Sequence, residues 1–299
     1  GFDNQIILSP HIGDLDGIAS IEYYEKHIET LKRIYNFTPS VIVHDKHPQY
    51  ESTKIGNDIL QKNDKLIGKS VQHHYAHILA VMGEKKLEGQ VFGVAFDGTG
   101  YGDDGNLWGG EFLICDYNEC ERIAHIDYFK LLGGSKAIKE PKRIALSLLF
   151  SIYGKNALEL DSPTIKAFST VELKTYFTAW EKGISSPLSS SVGRLFDAIA
   201  SLLGICQVMS YEGESGMLLE EFFDDSIKDS YSFGYSNRKI DILPLIKELL
   251  DENDIHIAVS KFFRTLVELI ATVYKPYNLP LVLGGGVFQN KILLGLLLR

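Results

Sequence analysis

The sequence contains few cysteines and no long apolar runs, and both facts exclude certain classes of protein. No stretch approaches the roughly eighteen consecutive apolar residues of a membrane-spanning helix, so none is predicted. The first ten residues lack the basic start and the apolar stretch of a signal peptide. Cys115, Cys120 and Cys206 form no CxxC pair. We therefore expect no disulfide framework, no thiolate zinc site and a reducing, cytoplasmic location.

Positive charge is also scarce. Lysine and arginine number 30 against 39 aspartates and glutamates, which gives a formal net charge of −9. Nucleic-acid binding is driven by clustered cations on phosphates, so this balance argues against it. The 45% hydrophobic and 23% charged content is ordinary for a globular protein, and 299 residues are enough for two domains or one bilobal unit.

Apolar periodicity predicts alternating strands and helices, and therefore an α/β fold. Two lobes are predicted, residues 1–133 and 134–299, because a Gly-Gly break at 133–134 precedes a mainly helical part. The predicted strands cover 5–10, 40–45, 89–98, 107–117 and 121–129, and a further strand, glycine turn and helix cover 279–299. The clearest predicted helices cover 73–83, 141–154, 191–205 and 257–274.

Three of the nine histidines lie within five positions, in SVQHHYAHILA (70–80). On a helix His73 and His77 share one face a turn apart, which is a metal-ligand spacing, whereas His74 points elsewhere. The alternative is a helix start whose histidines form ordinary hydrogen bonds in a partly buried surface. The spacing alone leaves both interpretations open.

Two glycine-rich turns follow predicted strands. In FDGTGYGDDG (96–105), Asp97 stands at the carboxyl end of an apolar strand, where a carboxylate can hold a metal. In LVLGGGVFQN (281–290), three glycines and a helix start would present free N–H groups to a phosphate. A glycine-rich hairpin and a tight strand–helix turn are the alternatives. Together the turns predict a phosphorylated ligand, with a metal, in a cleft between lobes.

Several longer motifs occur in a characteristic order, namely LSPHIGDLDG, HPQYEST, VQHHYAHILAV, VAFDGTGYGDDGNLWGGEFL, SSSVGRLFDAIASLLGI, YEGESGMLLE and LGGGVFQN. With them the chain resembles, over nearly its whole length, the C-terminal carbamoyl-transferring module of the HypF family. The resemblance implies a duplicated RNase-H-like fold of the actin/Hsp70 type. It also implies transfer of a carbamoyl group from carbamoyl adenylate to the C-terminal cysteine of HypE, for hydrogenase cyanide synthesis. The carbamoyl adenylate would come from an upstream YrdC-like domain of the full-length protein.

The resemblance also implies site residues. It makes His73, His77 and Asp97 ligands of a divalent metal, for which iron and zinc fit the donor set equally well. It places a further metal-binding aspartate beyond Arg299. ATP or carbamoyl adenylate would be bound by a larger set of residues, namely Gly98, Thr99, Gly193, Arg194, Asp197, Gly213, Gly285, Gly286 and Asn290. Asp197 has a competing interpretation as a helix-surface carboxylate paired with Arg194.

Two other functions remain as alternatives. A TsaD-like transferase acting on tRNA, or an O-carbamoyltransferase for small molecules, would share the HxxAH and GGV motifs. The net charge and the WGGEF and YEG stretches argue against tRNA. A nonenzymatic nucleotide-binding module would bind ATP without metal and without carbamoyl chemistry.

Overall fold

The computed structural model describes residues 1, 5–15 and 17–299. Residues 2–4 of the segment considered as a signal peptide, and residue 16 of the LSPHIGDLDG motif, lie outside the described residues. The chain divides into two compact units, residues 1–73 and 74–299. This division differs in position from the predicted lobe boundary at 133–134, which stays a prediction.

The first unit contains a small parallel sheet. Strands β1 (Val41–Asp45) and β2 (Ile67–Val71) pair from Val41 opposite Ile67 to Asp45 opposite Val71. Helices α1 (Ile18–Tyr35) and α2 (Glu51–Gln61) complete its regular elements. The strand predicted at 40–45 is confirmed.

The strand predicted at 5–10 is wrong, because residues 6–10 have no regular structure. The apolar side chains that suggested a strand there are not buried: Ile6 is 86% and Leu8 is 87% exposed. An apolar pattern forms a strand only where a neighbouring strand pairs with the backbone and a core buries the apolar side chains.

The second unit combines helices with a mixed sheet. Its helices are α3 (His73–Lys85, whose first residue ends the first unit), α4 (Lys136–Lys139), α5 (Pro141–Tyr153), α6 (Pro163–Lys166), α7 (Thr170–Glu181), α8 (Val192–Leu202), α9 (Glu214–Glu220), α10 (Leu243–Leu250), α11 (Ile255–Tyr274) and α12 (Lys291–Leu297). Its strands are β3 (Val91–Tyr101), β4 (Leu107–Cys115), β5 (Cys120–Ile126), β6 (Phe129–Lys130), β7 (Leu188–Ser189), β8 (Gly234–Ser236), β9 (Lys239–Asp241) and β10 (Leu281–Gly284). The helices predicted at 73–83, 141–154, 191–205 and 257–274 are confirmed.

The main sheet brings the two glycine-rich turns together. Within the described residues its central order is β10-β3-β4-β5-β9-β8, and β3, β4 and β5 form an antiparallel meander. Strand β10 pairs with β3 in parallel, with Gly284 opposite Ala95. The carboxyl ends of parallel strands meet at one edge of a sheet, where ligands of α/β folds bind. The turn after each of these two strands therefore lies at the same edge.

The helices close the core over this sheet. Helix α8 is buried along most of its length, and its cap residue Ser191 accepts a hydrogen bond from the Arg194 amide at 3.0 Å. Helix α5 begins at Pro141 and is followed by its cap residue Gly154, whose φ of 55° is readily adopted only by glycine. Phe196 on α8 packs edge-to-face on Phe262 of α11. Ser191 thus caps the start of α8, and Phe196 holds this helix against α11.

One expectation about the cysteines is wrong. Cys115 and Cys120 stand directly opposite each other at the β4–β5 turn, with their Cα atoms 4.1 Å apart, and form a disulfide. Their spacing of five residues matches no CxxC pattern, and the hairpin alone brings them together. Cys206 is buried and is not in a disulfide.

Membrane-spanning helices need about twenty consecutive apolar residues. Across residues 1, 5–15 and 17–299, no helix has both the length and the apolar character to cross a membrane.

Candidate functional site

The histidine cluster lies at the start of α3. His73 and His77 are half-buried and one helical turn apart, as the spacing predicts. His74 points away into the protein, where it is fully buried with its ring 6.2 Å from that of Trp108. The helix therefore separates the pair considered as ligands from the third histidine.

Asp97 connects the histidines to the glycine-rich turns. Its Oδ2 lies 3.0 Å from His77 Nε2. Its Oδ1 accepts hydrogen bonds from the amides of Gly98 at 2.8 Å and Gly286 at 3.2 Å. One nitrogen from each of His73 and His77 and one Asp97 oxygen lie within 4.8 Å of one another. Two imidazoles and a carboxylate at this spacing are a donor set that a divalent cation accepts.

A bulge in β3 gives Asp97 this position. The pairing of β3 with β4 shifts register between Phe96 and Gly100, so the backbone bends directly after the apolar part of the strand. Ser191 Oγ lies 2.6 Å from the carbonyl oxygen of Asp97 and 2.8 Å from that of Gly98, to which it donates. The same side chain that caps α8 thus holds the bulge.

The close approach of α8 to the bulge requires glycine. A Cβ on Gly193 would lie 2.8 Å from the Gly98 Cα, closer than real Cβ contacts. Gly285 meets a similar limit, because its φ is 97° and a Cβ there would lie 2.3 Å from the Phe96 carbonyl oxygen. Both glycines therefore let backbone segments from distant parts of the sequence meet around Asp97.

A cleft of about 640 Å³ opens beside Asp97. Seven residues predicted to bind nucleotide line it, namely Gly98, Gly193, Arg194, Asp197, Gly213, Gly286 and Asn290. Thr99 and Gly285 are not among the lining residues. Sequence analysis missed other lining residues, namely Phe196, Glu212, Gly216, Met217, Glu220, Val287, Gln289 and Lys291. Seven of the nine residues predicted to bind the nucleotide thus line one cavity. His73 and His77 are not among its lining residues.

A buried ion pair forms part of the cleft wall. Arg194 Nη1 lies 3.1 Å from Asp197 Oδ2, and both side chains are almost fully buried, so the pairing was predicted correctly but its surface location is wrong. Burial raises the pKa of Asp197, the Arg194 charge opposes this, and the pKa comes to about 6. Among the described residues, Arg194 Nε donates no hydrogen bond, and Asp197 Oδ2 has its ion pair with Arg194 but accepts no well-aligned hydrogen bond. Such buried polar atoms call for a partner that a ligand can supply.

The glycine turn after β10 differs from the prediction. A 3-10 helix (Gly286–Gln289) follows the glycines, and α12 begins only at Lys291. Asn290 caps α12, since its Oδ1 accepts from the Ile292 and Leu293 amides at 3.1 and 3.0 Å. The predicted open helix start directly after the glycines is therefore wrong, because the side chain of Asn290 already satisfies these amides.

A buried charged network lies on β4, where Gly110 pairs with Phe96 at the start of the bulge, and it was not predicted from the sequence. Glu111 is fully buried, and its Oε1 accepts from the Gly109 and Gly110 amides and from the Ser190 hydroxyl. Its Oε2 lies 2.5 Å from Arg122 Nε, and the guanidinium stacks 3.9 Å from the centre of the Trp108 ring. Burial raises the pKa of Glu111, and the Arg122 charge and these hydrogen bonds oppose the rise.

The chain was then compared with known proteins. Residues 93–299 match the family model "Carbamoyltransferase, Kae1-like Domain, second subdomain", and residues 1–84 match "HypF Kae1-like domain". The Carbamoyltransferase HypF of Synechocystis is 38% identical over 97% of this chain and 40% of its own length. The chain thus spans less than half of that relative.

Solved structures agree with the family models. A crystal structure titled full-length HypF in the phosphate- and nucleotide-bound form matches with a TM-score of 0.87 and 34% identity, over 96% of this chain and 46% of that one. The HypF of T. kodakarensis matches with a TM-score of 0.85 and 31% identity, over 96% of this chain and 39% of that one.

Fold and sequence therefore define the chain as a Kae1-like carbamoyltransferase domain. Within that class it belongs to the HypF family. The predicted fold class is confirmed, since the mixed α/β structure matches HypF structures and is consistent with the RNase-H-like, actin/Hsp70-type fold.

Proposed function

We propose that this chain transfers a carbamoyl group from carbamoyl adenylate to the C-terminal cysteine thiol of a HypE-like acceptor. The observation that carries the proposal is the position of Asp97. It contacts His77 and also lines the cleft, so a metal and a nucleotide bound at these places would be neighbours. The names of the relatives support carbamoyl transfer as the reaction.

His73, His77 and Asp97 are proposed to hold a divalent cation, iron or zinc. Two neutral imidazoles and an ionised carboxylate suit either ion. When bound, the cation supplies a Lewis acid that withdraws charge from the carbamoyl oxygen. The residues of the chain itself fix the orientation of the Asp97 carboxylate. The bulge fixed by Ser191 holds the Asp97 backbone, and the Gly98 and Gly286 amides hold one of its carboxylate oxygens.

The cleft is proposed to bind ATP or carbamoyl adenylate. Its carboxylates, from Asp97, Asp197, Glu212 and Glu220, exceed the cations of Arg194 and Lys291. The carboxylates would repel a nucleotide phosphate unless a cation is bound beside Asp97. Nucleotide binding should therefore depend on the metal. Asp197 Oδ2 and Arg194 Nε offer a buried acceptor and a buried donor to the nucleoside. The relative whose title describes a phosphate- and nucleotide-bound form supports this assignment.

The transfer needs no nucleophile from this chain. The acceptor thiolate attacks the carbamoyl carbon, a C–S bond forms, the bond from that carbon to the phosphate oxygen breaks, and AMP leaves with the electron pair. The thiol proton passes to solvent. The product is a thiocarboxamide on the acceptor and free AMP. An upstream YrdC-like domain of a longer protein is proposed to supply the carbamoyl adenylate, in the cytoplasm.

Metal content tests the first part of the proposal. Purified protein loaded with Fe²⁺ or Zn²⁺ and analysed by elemental mass spectrometry should hold about one ion per chain, because one donor set of this type is proposed. His77→Ala should lose the ion. His27→Ala is the matched control, because His27 is a half-buried histidine on α1 whose Nδ1 lies 2.9 Å from the Tyr23 carbonyl oxygen of its own helix. Equal metal in all three proteins would contradict the assignment.

The alternatives predict different outcomes. A TsaD-like enzyme would shift tRNA in a gel, which the net charge of −9 argues against. A nonenzymatic module would bind ATP equally well with and without the metal ligands.

A further inference from the structure

Asp45 lies next to His73 within the first unit, and no part of the proposed mechanism uses it. His73 Nδ1 is 2.8 Å from Asp45 Oδ2. Both side chains are partly buried, 26% exposed for His73 and 17% for Asp45. A neutral imidazole that donates its Nδ1 proton to a carboxylate carries its lone pair on Nε2. Metal-binding histidines commonly make such a bond through the ring nitrogen that does not face the metal.

The Asp45 carboxylate is held in place independently of His73. Asp45 ends β1 opposite Val71 of β2, two residues before His73. Its other oxygen, Oδ1, accepts from the His47 amide at 2.7 Å. Its carbonyl oxygen accepts from the buried Thr53 hydroxyl at 3.1 Å. Asp45 is therefore anchored at a strand end, and the position of its carboxylate does not depend on the contact with His73.

We propose that Asp45 is a positioning residue that fixes His73 as the Nδ1–H tautomer, with Nε2 as the metal-ligating nitrogen. This inference rests on the proposed metal site. Asp45 touches neither the substrate nor the metal, and it acts only through His73. Parallel pairing of β1 and β2 makes this contact possible, because it places Asp45 at the end of β1 opposite Val71, which precedes His73 by two residues.

The variant Asp45→Asn gives a sharp test because the two carboxylate oxygens have different partners. The asparagine oxygen keeps the hydrogen bond from the His47 amide, so its NH₂ group faces His73 and donates to Nδ1. Donation to Nδ1 favours the Nε2–H tautomer, which puts a proton on the ligating nitrogen. We expect metal affinity to fall roughly 10–100-fold, the usual effect of removing such a partner. Asp58→Asn, an exposed carboxylate on α2 of the same unit, is the matched control and should leave affinity unchanged.

The tautomer can be measured without metal. Imidazole ¹⁵N shifts of metal-free, histidine-labelled protein, assigned with a His73→Gln variant, should report Nδ1–H in the wild type and Nε2–H in Asp45→Asn. Amide spectra of both proteins check that the fold is retained. A wild-type His73 protonated on Nε2 would overturn the inference, as would wild-type metal affinity in Asp45→Asn. If the wild type binds no metal but shows the Nδ1–H tautomer, the metal site fails while the effect of Asp45 on His73 stands.

Discussion

The buried pair of Arg194 and Asp197 predicts an unusual dependence of stability on pH. The pKa of Asp197 is about 6 in the folded chain against 3.8 for an unperturbed aspartate, because burial outweighs the attraction of Arg194. The folded state therefore binds the proton more tightly than the unfolded state. The stabilisation is fully present below pH 3.8 and is lost as the pH rises to about 6. A shift of this size corresponds to about 3 kcal/mol.

Asp197→Asn isolates this contribution, since asparagine resembles the protonated acid and does not titrate. Near pH 4 the variant and the wild type should be equally stable, and at pH 7 the variant should be more stable by about 3 kcal/mol. Urea unfolding of the ligand-free chain at both pH values, followed by the fluorescence of Trp108 and Trp180, measures the difference. Asp229→Asn, an exposed carboxylate of the same unit, should show no such change. A variant less stable than the wild type at pH 7 would refute the reasoning, because Asp197 would then be ionised in a net stabilising ion pair.

Two further predictions concern the support of the β3 bulge. Gly193→Ala should lower both stability, by about 1–3 kcal/mol, and ATP affinity, because its Cβ meets the Gly98 backbone at 2.8 Å. Gly295→Ala, with no atom within 4 Å of the added Cβ, should cost nothing in denaturation and ATP titration, and equal behaviour of the two variants would contradict the prediction. Glu111→Ala should lower the free energy of unfolding by about 3 kcal/mol, because it removes the buried carboxylate of Arg122 and leaves that charge only its more exposed partner Asp104 at 3.2 Å. A loss below about 1 kcal/mol, measured in urea, would show that Glu111 does not hold the network.

Much of the fold could be predicted from the sequence, because its elements have strong local patterns. The apolar run into Asp97 predicted β3, and the spacing of His73 and His77 predicted their shared helix face. The two errors in regular structure, at residues 5–10 and directly after the glycines of β10, lie where local pattern and tertiary context disagree. Ile6 and Leu8 are exposed and do not lie in a strand, so their apolar pattern was misleading. Helix α12 begins only after Asn290, which caps it.

The supporting parts of the site could not be predicted, because they depend on residues far apart in the sequence. Glu111 and Ser190 are 79 positions apart, and Asp45 and His73 are 28 positions apart. None of these residues stands in a spacing that indicates its partner. The cleft carboxylates Glu212 and Glu220 stand in the YEGESGMLLE motif, but nothing in that motif indicates that they line the same cleft as the glycine turn after β10. The motif residues, by contrast, lie on short local turns or within a single helix and could be found in advance.

The most direct test of the proposed transfer is a single-turnover assay with carbamoyl adenylate and a HypE-like acceptor. Metal-loaded wild-type chain should add one carbamoyl group to the acceptor's C-terminal cysteine, as detected by intact-protein mass spectrometry, and should release AMP. An acceptor whose cysteine is replaced by alanine should gain nothing. Asp97→Asn keeps the size of the side chain but removes its charge beside His77, and it should abolish transfer while the chain remains folded. Transfer at the wild-type rate by Asp97→Asn, or none by the metal-loaded wild type, would contradict the account.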